Sequence, residues 1–227
     1  MNKNEKITFH KHLAQLFEEY ENRMIDSQQL EIIQSGFVFS NLDYNADVIV
    51  MGMNPSLRTN YISEDGYSYN YNTLSEDMYF KKLHAIVEPL LPYRISYTDL
   101  FYQKHSEQLQ LKYFLKDETG RAFLKDQLAL TLKQIARAKP RIILLFNKQG
   151  GDFLREPWIP IKLTTPKDCD ILDLKKATLY NTSGNQICQF FIYFSTYLGY
   201  RTSQAAMEKV HLDVPKISRY LGNHDKN

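Results

Sequence analysis

The sequence predicts an α/β fold: a three-layer α/β/α arrangement around a central parallel sheet of four strands. Three observations lead there. Four short apolar runs, residues 47–51, 94–101, 141–146 and 188–194, have the length of buried strands. The stretches between them carry helical periodicity and exceed the dozen or so residues that a right-handed crossover needs. A chain of 227 residues with 43% hydrophobic content can bury one substantial core, so a single domain is expected over 1–227.

The elements follow in order. Leu13, Leu16, Phe17, Tyr20 and Met24 recur at helical spacing with Glu18, Glu19 and Glu21 between them, which predicts an amphipathic helix over 8–30. It forms an N-terminal helical segment, 1–35, packed on the domain. The first strand is Asp47 to Met51. Ser75 is placed to cap a helix that runs to Val87 and stops at Pro89 and Pro92. Arg94 to Phe101 is the second strand. Glu118 to Ala138 sets Leu124, Leu128, Leu132 and Ile135 on one face, and Arg141 to Phe146 follows as the third strand. A less regular stretch holds a strand at Ala177 to Tyr180 and a turn at Thr182 to Asn185, an insertion or antiparallel edge. Cys188 to Phe194 is the fourth strand.

Composition narrows the function. With 28 basic and 26 acidic residues the net charge is +2, so any nucleic-acid or anion-binding face is local rather than global. Two cysteines, Cys169 and Cys188, are too few for a disulfide framework or a four-cysteine metal or cluster site. The six histidines do not cluster: His10 and His12 lie on opposite sides of a helix, and the others stand alone. No metal and no cofactor is expected. Neither GxGxxG nor GxxxxGK[ST] occurs, which disfavours a nucleotide-dependent kinase or dehydrogenase. An N-terminus without the apolar core of a signal peptide, and the lack of an apolar run near 20 residues, predict a cytoplasmic protein with no membrane partner. A monomer is the expected state.

Ligands of an open parallel sheet sit outside the carboxyl ends of its strands. Those ends carry Asn54, Asp99, Asn147, and Ser195 with Thr196. Asn147 precedes KQGGDFL and serves equally as a helix cap. Asn54 is the sharpest case, in DVIVMGMNPSLR. Gly52 allows a close approach, and Pro55 restricts Asn54 to extended conformations, so the carboxamide is aimed. The alternative is an Asn-Pro turn that merely ends a strand.

VIVMGMNPS resembles the first motif of the uracil-DNA glycosylase superfamily, nearest its single-strand-selective and mismatch-specific branches, in which the loop reads GMNPG or GINPG. YRISYTDLFYQKH is similar to that family's second strand, KPRIILLFNKQG to its third, and FIYFSTYLGYRTS occupies the place of its HPS motif. The resemblance spans about residues 40 to 221. It implies a glycosylase fold, a hydrolase that removes a damaged or deaminated base in DNA repair, and a DNA partner, single-stranded or damaged. It makes Asn54 the catalytic residue, with Gly52, Met53, Pro55, Ser56, Asp99, Asn147, Ser195 and Thr196 around the substrate. Phe194 falls where the family has histidine and Asp99 where it has a base-reading asparagine or lysine. The iron–sulfur branch is excluded by its missing cysteines.

The residue types permit that chemistry. Asn54 cannot act as a strong base, but its carbonyl can orient a water towards C1′ of a flipped nucleotide. Asp99, when ionised, can only accept hydrogen bonds, so it suits a donor-rich base edge, a raised pKa or a lost activity. Its plainer role is an ion pair with Arg94, Lys104 or Arg201. Tyr61 is the loop aromatic most able to stack on a base, although ordinary loop packing explains it as well. Arg201 and Thr202, before the last helix, form a candidate phosphate seat, while capping alone accounts for Thr202 or Ser203. Asn54, Asp99, and Ser195 or Thr196 are expected to line one pocket walled by Tyr61 or another loop aromatic. Two other classes stay open: a non-catalytic nucleic-acid or base-binding relative, and an α/β enzyme acting on a small nucleotide-like molecule.

Overall fold

A computed structural model describes residues 1–56, 62–74, 77–106, 111–167, 169–196, 198 and 202–224. The helices are α1 (Lys3–Glu21), α2 (Ser27–Gln34), α3 (Met78–Val87), α4 (Leu111–Phe114), α5 (Glu118–Ala138), α6 (Lys148–Leu154) and α7 (Gln204–His224). The strands are β1 (Phe39–Ser40), β2 (Val48–Gly52), β3 (Ser68–Tyr69), β4 (Ile95–Asp99), β5 (Ile142–Phe146), β6 (Ile161–Thr164), β7 (Leu174–Tyr180) and β8 (Gln186–Ser195).

The fold is α/β with a mostly parallel central sheet and added antiparallel strands. Six strands lie in the order β4-β2-β5-β8-β7-β6. The pairs β2–β5 and β5–β8 are parallel, in the registers Ile49↔Ile143 and Ile143↔Ile192. Beside β4, Asp47 N–H donates to Arg94 C=O and Leu100 N–H to Gly52 C=O, the order of a parallel pair. The four expected strands are therefore neighbours. The sheet is nonetheless wider than four, because β7 and β6 add antiparallel to β8. β6 escapes sequence reading: its IKLT is half exposed and short, as an edge strand is, and its apolar residues alternate over only four positions.

The chain resolves into two compact, interleaved units. Unit 1 comprises Met1–Tyr44, Gly52–Tyr71 and Tyr97–Arg137. Its core is aromatic: Phe9 meets the ring edges of Phe39 and Tyr102, and Phe17, Tyr20 and Phe114 surround Phe123. Leu124, Leu128, Leu132 and Ile135 of α5 are buried as their spacing predicts. The single helix expected over 8–30 is instead two. Asp26 accepts from the N–H groups of Gln28 and Gln29, and this cap starts α2 after a break at Asn22. Two short strands, β1 and β3, pair in parallel, with Ser40 opposite Tyr69.

Unit 2 comprises Asn45–Met51, Asn72–Ser96 and Ala138–Asn227. Val48 to Met51 and Ile142 to Phe146 are buried without alternation, as strands covered on both faces are. Asp77 caps α3 by accepting from Tyr79 and Phe80 N–H, so the helix begins later than expected. The proposed cap Ser75 lies outside the described residues. The α7 helix packs on α3 and on the turn Glu88–Leu90, and Arg141 donates to the carbonyl of Leu221 near its end at 3.0 Å. No helix among the described residues is long and apolar enough to cross a membrane.

The sheet core depends on close packing around β5. Leu144→Ala, at a fully buried position, is expected to cost about 2–5 kcal/mol. Chemical denaturation tests this, and an unchanged midpoint would contradict a packed central strand.

Candidate functional site

The strand order reverses at β2: the chain goes from it to β4 on one side, and later to β5 and β8 on the other. Loops diverge at such a switch point, and ligands of open α/β sheets bind there. The loop that leaves β2 carries Met53, Asn54, Pro55 and Ser56, all in unit 1.

That loop is stitched to the segment after β4. Leu100 N–H donates to Gly52 C=O at 3.0 Å, Phe101 N–H to Met53 C=O at 2.8 Å, and His105 N–H to Pro55 C=O at 2.9 Å. The side chain of Asn54 joins in. Its Nδ2 donates to the carbonyls of Pro55 at 2.9 Å, His105 at 2.8 Å and, more weakly, Gln103 at 3.4 Å. Three carbonyls around one end of the amide decide which end is nitrogen, since an oxygen there would repel them. Rotation of the half-buried carboxamide is thereby blocked, and Oδ1 faces away from the carbonyls.

Asp99 lies beneath Gly52. It is 2% exposed. Tyr97 OH donates to its Oδ1 at 2.9 Å, Tyr69 OH donates to its Oδ2, and the Tyr71 ring stacks on Tyr97 at 5.7 Å between centroids. Burial pushes the Asp99 carboxyl up to about 7, outweighing the two hydroxyl bonds, which pull it down. An ion pair with Arg94 or Lys104 is not what holds it. Among the described residues its partners are tyrosines, and Arg94 sits 3.7 Å from Asp47. The same packing explains Gly52: a Cβ there would overlap both Tyr97 OH and Asp99 Oδ1.

The other strand-end residues meet in unit 2. Asn147, Ser195 and Thr196 line a cleft of about 280 Å³ with Phe194, Arg155 and Lys209. Asn147 caps α6, its Oδ1 accepting from Gly150 N–H at 2.8 Å. The Arg155 guanidinium lies 4.1 Å over the ring of Phe194, so the position at which the resemblance expects an imidazole carries a phenyl ring covered by a cation. Tyr193 OH donates to Asp213 at 2.8 Å, and Lys209 bridges Asp173 and Asp213 at 2.7 Å each. Hydrogen bonds to these carboxylates raise Lys209 against the opposing effect of burial. Ser203 caps α7 through Ala206 N–H at 3.3 Å, and Thr202 is half-buried. Tyr61 and Arg201 lie outside the described residues.

Sequence reading overlooked four of these groups. Tyr97 was open to inference, because residues i and i+2 of a strand share a face. Tyr69 looked like one loop tyrosine among several, and nothing in the sequence tied Arg155 or Lys209 to a strand end. No cluster of His, Cys, Asp and Glu able to hold a metal occurs among the described residues. Comparison with known protein families and with curated proteins finds no match to the chain.

Two outcomes follow from the Asp99 packing. Gly52→Ala should destabilise the protein by about 1–3 kcal/mol, because a methyl group must displace buried polar atoms. Thermal denaturation checks it, and an unaltered transition would refute the contact. The second concerns pH. The folded-state value near 7 lies above the ordinary 3.8, so between about pH 4 and 7 the folded protein keeps a proton that the unfolded chain has lost. This contribution to stability is complete below about pH 4 and is lost as pH rises through 7, at about 1.4 kcal/mol per pH unit. Asp99→Asn should remove that slope. Parallel stability curves for parent and variant between pH 5 and 8 would show that Asp99 titrates normally.

Proposed function

We propose that the chain is a DNA glycosylase-like hydrolase of three-layer α/β/α architecture, akin to the uracil-DNA glycosylase superfamily, that cleaves the N-glycosidic bond of a damaged or deaminated base. The observation that carries this reading is the Asn54 amide, locked by backbone carbonyls at its nitrogen end on the loop that leaves the switch-point strand. The lock ties the loop to the segment after β4, and it also leaves Oδ1 as a fixed acceptor, which gives a bound water an orientation that a free rotor would lose.

In this mechanism the glycosidic bond breaks with its electron pair moving to the base. The water positioned by Asn54 Oδ1 adds to C1′ and gives its proton to solvent. Asp99 acts as a positioning residue: both its oxygens are engaged by tyrosine hydroxyls, and it supports the loop through Gly52 rather than reading the base. Around the substrate stand Met53, Pro55 and Ser56, and Asn147, Ser195 and Thr196 belong to the unit 2 cleft. A second reading, a base-binding relative without turnover, is favoured by Phe194 in place of an imidazole, since a phenyl ring cannot stabilise a departing base anion by hydrogen bonding.

The test is incubation with single-stranded oligonucleotides carrying uracil, hypoxanthine, xanthine or an alkylated base, followed by alkaline cleavage. Strand scission should appear with at least one base, persist in chelator, and fall by about 10²-fold or more in folded Asn54→Ala. Equal single-turnover rates in the two proteins would make the motif a turn. Salt-dependent DNA binding without abasic sites would favour the second reading.

A further inference from the structure

We infer that the open face of the antiparallel strands β6, β7 and β8 is a binding surface for a single-stranded nucleic acid, with Lys162 and Lys176 on its phosphates and Tyr180 against a base. The surface belongs to unit 2 alone, and its use does not require glycosidic cleavage.

Register and burial define the face. Along β7, Ala177 and Leu179 are buried while Lys176, Thr178 and Tyr180 are not, so these three share the open side. Residues directly opposite one another in an antiparallel pair lie on the same side. Lys162, Thr178 and Gln189 therefore form one row across the three strands, and Thr164, Lys176 and Phe191 form the next. Gln189 Nε2 donates to Thr178 Oγ1 at 3.2 Å, which ties the first row together. Lys162 and Lys176 are diagonal neighbours, about 7–8 Å apart at the backbone.

Charge sets this face apart. The strands β6, β7 and β8 and the turn 181–185 contain three lysines and no aspartate or glutamate, in a chain whose 28 basic and 26 acidic residues nearly balance. Lys175 lies on the other side and donates to Thr165 Oγ1 at 3.3 Å. Lys162 and Lys176 are exposed, and neither has a carboxylate partner among the described residues. A lysine on an edge strand guards against stray pairing, which accounts for Lys162. It does not account for Lys176, because β7 is paired on both sides. A carboxylate opposite either lysine would add a favourable cross-strand pair, yet threonines and a phenylalanine stand there. Two unanswered cations side by side are the complement of a polyanion.

The rings decide which polyanion. Half-buried Tyr180 is diagonal to Lys162 and four residues, about 13 Å, from Lys176. Phe191, opposite Lys176, is half-buried with Tyr220 of α7 edge-on at 5.3 Å. An aromatic ring thus stands at each end of the lysine pair. One turn before Tyr220, Lys216 is answered by Asp170 at 3.4 Å and adds no net charge. An extended nucleic-acid strand presents phosphates and flat bases together, and sheet faces that bind single strands offer cations and rings in the same way. An acidic peptide would use the lysines alone.

Fluorescence anisotropy of a labelled, undamaged oligothymidine, titrated with the full chain at several salt concentrations, tests the assignment. The double variant Lys162→Gln/Lys176→Gln should bind about 5- to 20-fold more weakly near 0.1 M salt, and the slope of log K against log salt should fall by about 0.7 for each phosphate contact removed. Both side chains face solvent, so the variant keeps its fold, which circular dichroism verifies. Tyr180→Ala should weaken binding about 5-fold or more at an unaltered slope, and Tyr180→Phe should retain it. Lys11→Gln, on an exposed face of α1, should change neither quantity.

No salt-dependent binding by the parent, an unaltered affinity and slope in the double variant, or an equal loss in Lys11→Gln would overturn the inference. Polyglutamate or phosphatidylserine vesicles that bind the parent more tightly than the oligonucleotide, and lose binding in the double variant, would overturn it too and assign the face to an acidic protein or a membrane. Abasic product from damaged strands at saturating protein separates this surface from the proposed activity. Its absence with every base would remove the glycosylase reading, while strand binding lost in the double variant would still establish the surface.

Discussion

The contact on which the site depends is the burial of the Asp99 carboxyl against Gly52. A carboxyl group that is 2% exposed must find hydrogen-bond donors or keep its proton more tightly, and here two donors are in place while burial raises its pKa to about 7. Tyr69 and Tyr97 supply the donors, and each comes from a different part of unit 1. Their convergence fixes how closely the end of β4 approaches the end of β2. Glycine at position 52 is the condition for that approach, and the hydrogen bonds from Leu100 and Phe101 to the carbonyls of Gly52 and Met53 extend it into the motif loop. Asn54 is the last member of this chain of constraints. The direction of its carbonyl is set by atoms up to fifty-one positions away in sequence.

The parts of the structure legible in the sequence were those governed by local periodicity. The α5 helix reads directly from Leu124, Leu128, Leu132 and Ile135, and β5 from an unbroken apolar run. Asn147 was legible as a cap, because the residues after it leave N–H groups that need an acceptor. Elements decided by tertiary pairing were not legible. β1 and β3 are two residues each and exist only as partners of one another. The break between α1 and α2 turns on one cap, Asp26, inside a pattern that is apolar-periodic on both sides.

The same division holds at the site. Local rules aimed the Asn54 side chain, through Gly52 before it and Pro55 after it. What the amide bonds to is long-range and appeared only in three dimensions. Asp99 illustrates the limit of reading charge from sequence: a raised pKa and an ion pair with Arg94, Lys104 or Arg201 were both open, and among the described residues its partners are tyrosine hydroxyls, with burial raising the carboxyl. In the reverse sense, Arg155 carried no sequence signal, yet it covers Phe194, the position at which the resemblance to glycosylases departs most from its pattern.

What Asn54 Oδ1 holds decides between a water-positioning amide and a turn. A crystal structure of the chain bound to a single strand carrying a 2′-fluoro nucleotide of the preferred base, which resists glycosidic cleavage, answers this directly. An ordered water is expected within about 3 Å of Oδ1, on the face of C1′ opposite the base, with Nδ2 still on the carbonyls of Pro55 and His105. An Oδ1 bonded to protein, with the sugar bound elsewhere, would contradict it.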